Sequence, residues 1–166
     1  MDTVTSPGSQ ATVLDELAAE HRAAIADQQI DVAALEDWVL TDDCGALATF
    51  RGVVRNHDDG QRVAALTYQA HPQAERFLQR LVAAEATEHQ VRVAAVHRQG
   101  DLSIGDVALV VSVAAAHRKQ AFAACGRIVD LIKAEVPIWK LQHFENHASE
   151  WVSACTATAN EESRHD

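Results

Sequence analysis

The only three lysines of the chain, Lys119, Lys133 and Lys140, all fall between positions 119 and 140. The formal net charge is −10, and an acidic protein binds an anion by gathering its few cations in one place. Lys133 and Lys140 bracket the segment AEVPIW. Lys133 closes an amphipathic stretch, where a helix dipole favours a cation in any case. Lys140 follows Trp139 in a segment that reads as extended. An amine beside an aromatic and apolar wall can act as acid, base or nucleophile. The same pair also fits one helix-end charge and one surface lysine, and spacing alone does not choose between these readings.

A second cationic group, His117-Arg118-Lys119, follows Ala116 where an apolar strand passes into a helix. The first turn of a helix presents unpaired N–H groups, so imidazole, guanidinium and ammonium placed there make a cradle for phosphate. A merely solvated helix start is the competing reading, although the dipole does not favour cations at that end. Arg55 ends a strand and leads into NHDDG, a placement that suits carboxylate or phosphate binding as well as plain exposure.

Other chemistries find less support. Cys44, Cys125 and Cys155 are scattered and form no CxxC pair, which argues against a disulfide framework or a zinc site. His143 and His147 have i, i+4 spacing in a segment that does not read as helical, and no third ligand stands nearby. His97-Arg98 ends a strand and reads as a structural pair. The sequence carries no GxSxG, Walker loop or GxGxxG. The negative charge disfavours generic nucleic-acid binding. No apolar run approaches the ~20 residues of a membrane span, and Met1 to Gln10 lacks the pattern of a secretory signal. A soluble cytoplasmic protein is expected.

The elements that must position these residues follow from periodicity. With 48% hydrophobic residues, one domain can build a real core. Residues 1–30 read as an extension, disordered over the first ten and helical over 12–26. Asp31 caps a short helix, VAALEDWVL. ALATFRGVVR reads as a strand with a bulge at Gly52, and VAALTYQA as its hairpin partner across a long tip with an Asp59-Gly60 turn. After Pro72 a helix shows Phe77, Leu78, Leu81 and Ala84 on one face. VRVAAVHRQG and VALVVSVAAA are strands separated by a turn region, Gly100 to Gly105. A long helix from His117 follows, burying Phe122, Cys125, Val129 and Ile132, and stops at Pro137. IWKLQHF then runs as a strand. The class is α+β, with helices packed on mainly antiparallel sheet. Residues 31–152 form the folded domain and 153–166 a tail.

Taken together, GALATFRGVVRNHDDG, LTYQAHP, VHRQGDLSIGD, VAAAHRKQAFAAC and LIKAEVPIWK, followed by SEWV, resemble the large, catalytic subunit of molybdopterin synthase in the same order. The resemblance spans Asp31 to Val152. It implies a two-layer α/β hammerhead-like fold, a homodimeric core and a small ubiquitin-like sulfur-carrier subunit as partner. The implied reaction moves sulfur from the thiocarboxylated C-terminus of that partner to cyclic pyranopterin monophosphate, forming the dithiolene of molybdopterin, with no cofactor. The sequence ends in Ser-Arg-His-Asp rather than Gly-Gly, so the carrier is expected to be a separate protein. By motif, Lys133 and Lys140 match the catalytic lysines. Arg55, His117 and Arg118 match substrate-binding positions, and Phe50 a pocket wall. The chain departs from the family pattern at Gln69 and His71, where Glu and Tyr are frequent, and at Leu141, where a basic residue is common. A non-catalytic pterin-binding or scaffolding homologue is the alternative, and a phosphoester hydrolase using His117 a more distant one.

One geometric constraint follows. A straight helix over 117–133 separates its ends by ~24 Å at 1.5 Å per residue. His117 and Lys133 of one chain therefore cannot touch the same small substrate. A homodimer with composite sites, His117 and Arg118 coming from the other protomer, is the expected solution.

Overall fold

Apolar runs at the centre of the chain build the centre of the molecule. A computed structural model describes residues 19–153. Strands β5 (Arg92–Arg98) and β7 (Val107–Ala115) lie antiparallel in the middle of a four-stranded sheet of order β1-β5-β7-β2, with β1 at Glu20–Ala26 and β2 at Ala46–Val53. Side chains alternate across a strand, and both faces here are covered. Val93, Ala95, Val111 and Val113 point towards helices α2 (Ala74–His89) and α3 (Arg118–Glu135). Ala94 and Ala114 point the other way, against α1 (Val32–Val39). Both faces being buried explains why these strands read as continuous apolar runs.

The second sheet has five strands. Its path is β3 (His57–Asp58), β4 (Gln61–Ala70), β8 (Ile138–Phe144) and β9 (Glu150–Ser153), with β6 (Gly100–Ser103) also paired to β4. A smaller core of Val54, Val63, Leu66, Leu102 and Ala108 joins it to the first sheet. All strand pairs except the parallel β1–β5 are antiparallel, in keeping with the α+β class expected from the sequence.

Local signals set several boundaries as anticipated. Asp31 caps α1, its side chain accepting a hydrogen bond from Ala34 N at 3.1 Å. The register of β2 against β7 shifts between Gly52 and Val53, the bulge that the glycine suggested. Asp59 and Gly60 both have positive φ, 46° and 75°, and close the β3–β4 hairpin between paired Asp58 and Gln61. Pro137 follows an extended Val136, the conformation a proline imposes on the residue before it, and α3 ends there.

Other expectations are corrected. Residues 20–26 form a strand rather than part of a helix over 12–26. The alanine-rich composition favours a helix locally, but parallel pairing with β5 satisfies this backbone. Glu20 bonds Arg92 at 2.8 Å, and the Glu75 carboxylate accepts from Ile25 N at 2.9 Å. Residues 12–18, the expected disordered start and the tail from 154 onward, with Cys155, lie outside the described residues. Strands β2 and β4 are not a hairpin: β2 pairs with β7, and β4 pairs with β6 and β8. The span from Gly100 to Gly105 contains β6, and SEWV lies at β9, neither of which shows enough periodicity to be read. The helix faces are corrected only in part: Phe77, Ala84 and Phe122 are exposed, whereas Leu78, Leu81, Cys125, Val129 and Ile132 are buried as expected, together with Ala74 of α2 and Ala121, Ala124 and Ile128 of α3. Among the described residues no helix is long and apolar enough to cross a membrane.

Candidate active site

The two sheets meet along a cleft of about 380 Å³, and the end of α3 closes one side of it. Strand β8 supplies Ile138, Lys140 and Gln142 to the lining, the every-second-residue pattern of one strand face. Trp139 and Leu141 therefore face away. In the β4–β8 ladder Lys140 lies opposite Tyr68 and Gln142 opposite Leu66, so β4 lines the same wall. Strand β2 adds Phe50 and Gly52 before its bulge, and Arg55 follows two residues after its end. A Cβ at Gly52 would come within 3.3 Å of the Phe50 ring, so the glycine leaves room for that ring at the cleft wall.

Four of the expected site residues converge here: Phe50, Arg55, Lys133 and Lys140. Lys133, in the last turn of α3, places Nζ 5.8 Å from the centre of the Phe50 ring, within cation–π range. Lys140 is half-buried. Burial holds its pKa below the usual 10.5; Asp58 opposes that shift, and Arg55 and Lys133 reinforce it. Arg55 is largely exposed and donates from its guanidinium to Asp58 Oδ1 at 3.2 Å.

His117 and Arg118 are not in this cleft. His117 is the N-cap of α3 and Arg118 its first residue. With Gly45, Ala116, Lys119 and Gln120 they line a separate depression at the opposite end of that 18-residue helix. Gly45 is required there, because a Cβ would lie 2.3 Å from the Ala116 carbonyl oxygen. The chain from Gly45 into β2 thus reaches one site at Gly45 and the other at Phe50.

The cleft also contains residues that sequence spacing did not single out. Asp58 accepts a hydrogen bond from Gln142 Nε2 at 2.5 Å in addition to that from Arg55. Burial raises its pKa, but the Gln142 hydrogen bond and the charges of Lys140 and Arg55 outweigh this and hold it below 3.8. Burial raises the Tyr68 hydroxyl above its usual 10.0. His97 is buried on the cleft floor, edge-on to Tyr68 with ring centres 5.0 Å apart. Its Nδ1 lies 2.7 Å from the Arg98 carbonyl oxygen. A carbonyl only accepts, so Nδ1 carries a proton. Burial depresses its pKa to about 4, opposed by that hydrogen bond and aided by the charge of Lys133. The readable signal for His97 was its place in an otherwise apolar strand. Asp58 gave none, since a polar hairpin tip looks like solvent-facing loop.

The departures at Gln69, His71 and Leu141 all lie off the lining. Gln69 pairs with Trp139 in the ladder, and His71 is tilted against the Trp139 ring at 6.3 Å.

Comparison with known proteins identifies the family and the fold. The sequence model described as MoaE protein matches residues 25–135. The molybdopterin synthase catalytic subunit of Thermoplasma volcanium is 40% identical over 129 residues, covering 76% of this chain and 94% of that protein. Molybdopterin synthase catalytic subunit 1 of Mycobacterium tuberculosis is 38% identical over 130 residues, covering 77% and 88%. The crystal structure of molybdopterin synthase from Staphylococcus aureus superposes with a TM-score of 0.73 at 31% identity, covering 77% of this chain and 94% of that one. The chain belongs to the MoaE protein family, the catalytic subunits of molybdopterin synthase.

Proposed function

We propose that the cleft between the two sheets is where this enzyme installs sulfur, taking it from the thiocarboxylated C-terminus of a small ubiquitin-like subunit. The acceptor is cyclic pyranopterin monophosphate and the product carries the dithiolene of molybdopterin. The observation that carries this reading is the convergence of Lys133, Lys140, Arg55 and Phe50 on one cleft in a chain of this family. The lysines of the cleft offer the charge that a thiocarboxylate needs. Lys133 lies beside the incoming sulfur and stabilises developing negative charge. Lys140, whose proton affinity is reduced by burial, exchanges protons with the pterin as carbon–sulfur bonds form. Phe50 walls the tail. The sulfur comes from the partner, so the reaction calls for no cofactor.

Arg55 contributes to the substrate anion site together with His117 and Arg118 of a second protomer. The support for that composite site is spatial: His117 and Arg118 stand at the far end of α3 from Lys133. The working assembly is then a homodimer carrying one small subunit at each end, acting in the cytoplasm.

The test is direct. The purified chain, a thiocarboxylated small subunit and cyclic pyranopterin monophosphate are expected to give molybdopterin, and the Lys133→Ala chain almost none. Partner binding without any product from the native chain would favour a scaffolding homologue instead.

A further inference from the structure

The cleft that gathers cations for an anionic substrate also contains one carboxylate among its lining residues, Asp58. It is not a solvated loop residue. Oδ2 accepts from Gln142 Nε2 at 2.5 Å and Oδ1 from Arg55 at 3.2 Å. Gln142 is 4% exposed, and its amide side chain points from β8 on the same strand face as Lys140. The tight Asp59-Gly60 turn fixes the backbone of Asp58 opposite Gln61. The carboxylate is therefore held from both sides, and it ties the tip of the β3–β4 hairpin to the middle of β8.

Resting on the reading of the cleft given above, we propose that Asp58 is a positioning residue of the reaction. Its carboxylate, held by Gln142, fixes Arg55 at the rim and supplies the counter-charge in the cleft that Lys140 lines. The groups around Lys140 support this assignment. From the turn after β2 comes Arg55, from β3 His57, from α3 Lys133, from β4 Tyr68, and from β5 His97. On the β9 side its partner is the uncharged Val152. Burial disfavours the ammonium, and Arg55 and Lys133 repel it. Asp58 is the group that acts in the opposite sense. Neutralising it removes the counter-charge with little change in shape, because asparagine is isosteric.

The chain has three lysines, so the side-chain signals of lysine labelled with carbon-13 at Cε can be assigned with one Lys→Arg variant each. In Asp58→Asn the Lys140 signal is expected to titrate at lower pH than in the native chain, while the Lys119 signal stays in place. In the molybdopterin assay the alkaline limb of the rate profile moves to lower pH in the same variant. On that alkaline limb the variant turns over more slowly than the native chain, on the acid side the two rates converge, and Asp58→Glu restores most of the loss. An unchanged Lys140 titration in Asp58→Asn overturns the proposal. So does a loss of turnover that is equal at all pH values. Should Asp58→Asn misfold, Asp58→Ser carries the same two readouts. A native chain that makes no product while its Lys140 signal responds to Asp58 would defeat the sulfur-transfer reading and leave standing only the role of Asp58 as counter-charge to Lys140.

Discussion

Lys133 Nζ sits 5.8 Å from the centre of the Phe50 ring, so the last turn of α3 and the middle of β2 meet at one wall of the cleft. The contact orients a cation that a helix C-terminus already favours. Lys133→Ala is expected to lower the rate of molybdopterin formation by 10² or more, the scale of a lost charge-stabilising or proton-transferring group. Thermal unfolding should move by less than a few degrees, since the side chain is exposed. Equal losses of activity and stability would mean that the residue is structural.

The separation of His117 and Arg118 from the lysine cleft gives a mixing experiment. In the proposed homodimer, the Lys133→Ala and Arg118→Ala variants should each be nearly inactive. Re-equilibrated together in equal amounts, they form mixed dimers in which one of the two sites is intact. About a quarter of native activity then returns, by the statistics of a two-fold symmetric dimer. No recovery, with exchange of protomers verified by mass, would place all functional residues of a site on one chain.

His97 makes folding stability depend on pH. Its folded pKa of about 4 lies below its ordinary 6.5. Between these values the unfolded chain binds a proton that the folded chain refuses, so stability is intact above pH 6.5 and falls as the pH drops towards 4. The gap is worth about 3 kcal/mol at its fullest extent. Urea unfolding of the native chain at pH 7 and pH 4.5 should show a fall that is clearly smaller in His97→Gln. Equal falls in the two proteins would assign the acid sensitivity to other groups.

Gly45→Ala tests the coupling of the strand to the helix start. The added methyl would meet the Ala116 carbonyl oxygen at 2.3 Å, and that contact is with backbone, which cannot swing aside. A cost of about 1–3 kcal/mol is expected, together with weakened substrate binding through displacement of His117. Chemical denaturation and KM measured side by side check both. A variant as stable as the native chain would show that the strand end yields freely.

Burial in the helical core is less forgiving. Ile128, fully buried between α3 and the sheet, should cost about 2–5 kcal/mol on replacement by Ala. Denaturant midpoints would report this, and a loss below 1 kcal/mol would mean that the surrounding side chains collapse into the space.

The sequence by itself determined those features whose causes are local. The Asp31 cap, the Asp59-Gly60 turn, the Gly52 bulge and the stop before Pro137 each depend on one or two residues and their backbone preferences. The placing of Lys133 at a helix end and Lys140 in a strand followed from the same signals, and the ordered motifs identified the family. Only the tertiary structure decided which strands pair. Strand β2 joined β7 rather than the nearby β4, and residues 20–26 became a strand, because hydrogen bonds across long sequence separations outweighed local propensity. It also decided which polar residues face the cleft. Asp58 and His97 acquire their chemistry from neighbours up to 84 residues away in sequence, as in the Asp58–Gln142 bond, and no spacing rule along the chain records a carboxylate or an imidazole held in that way.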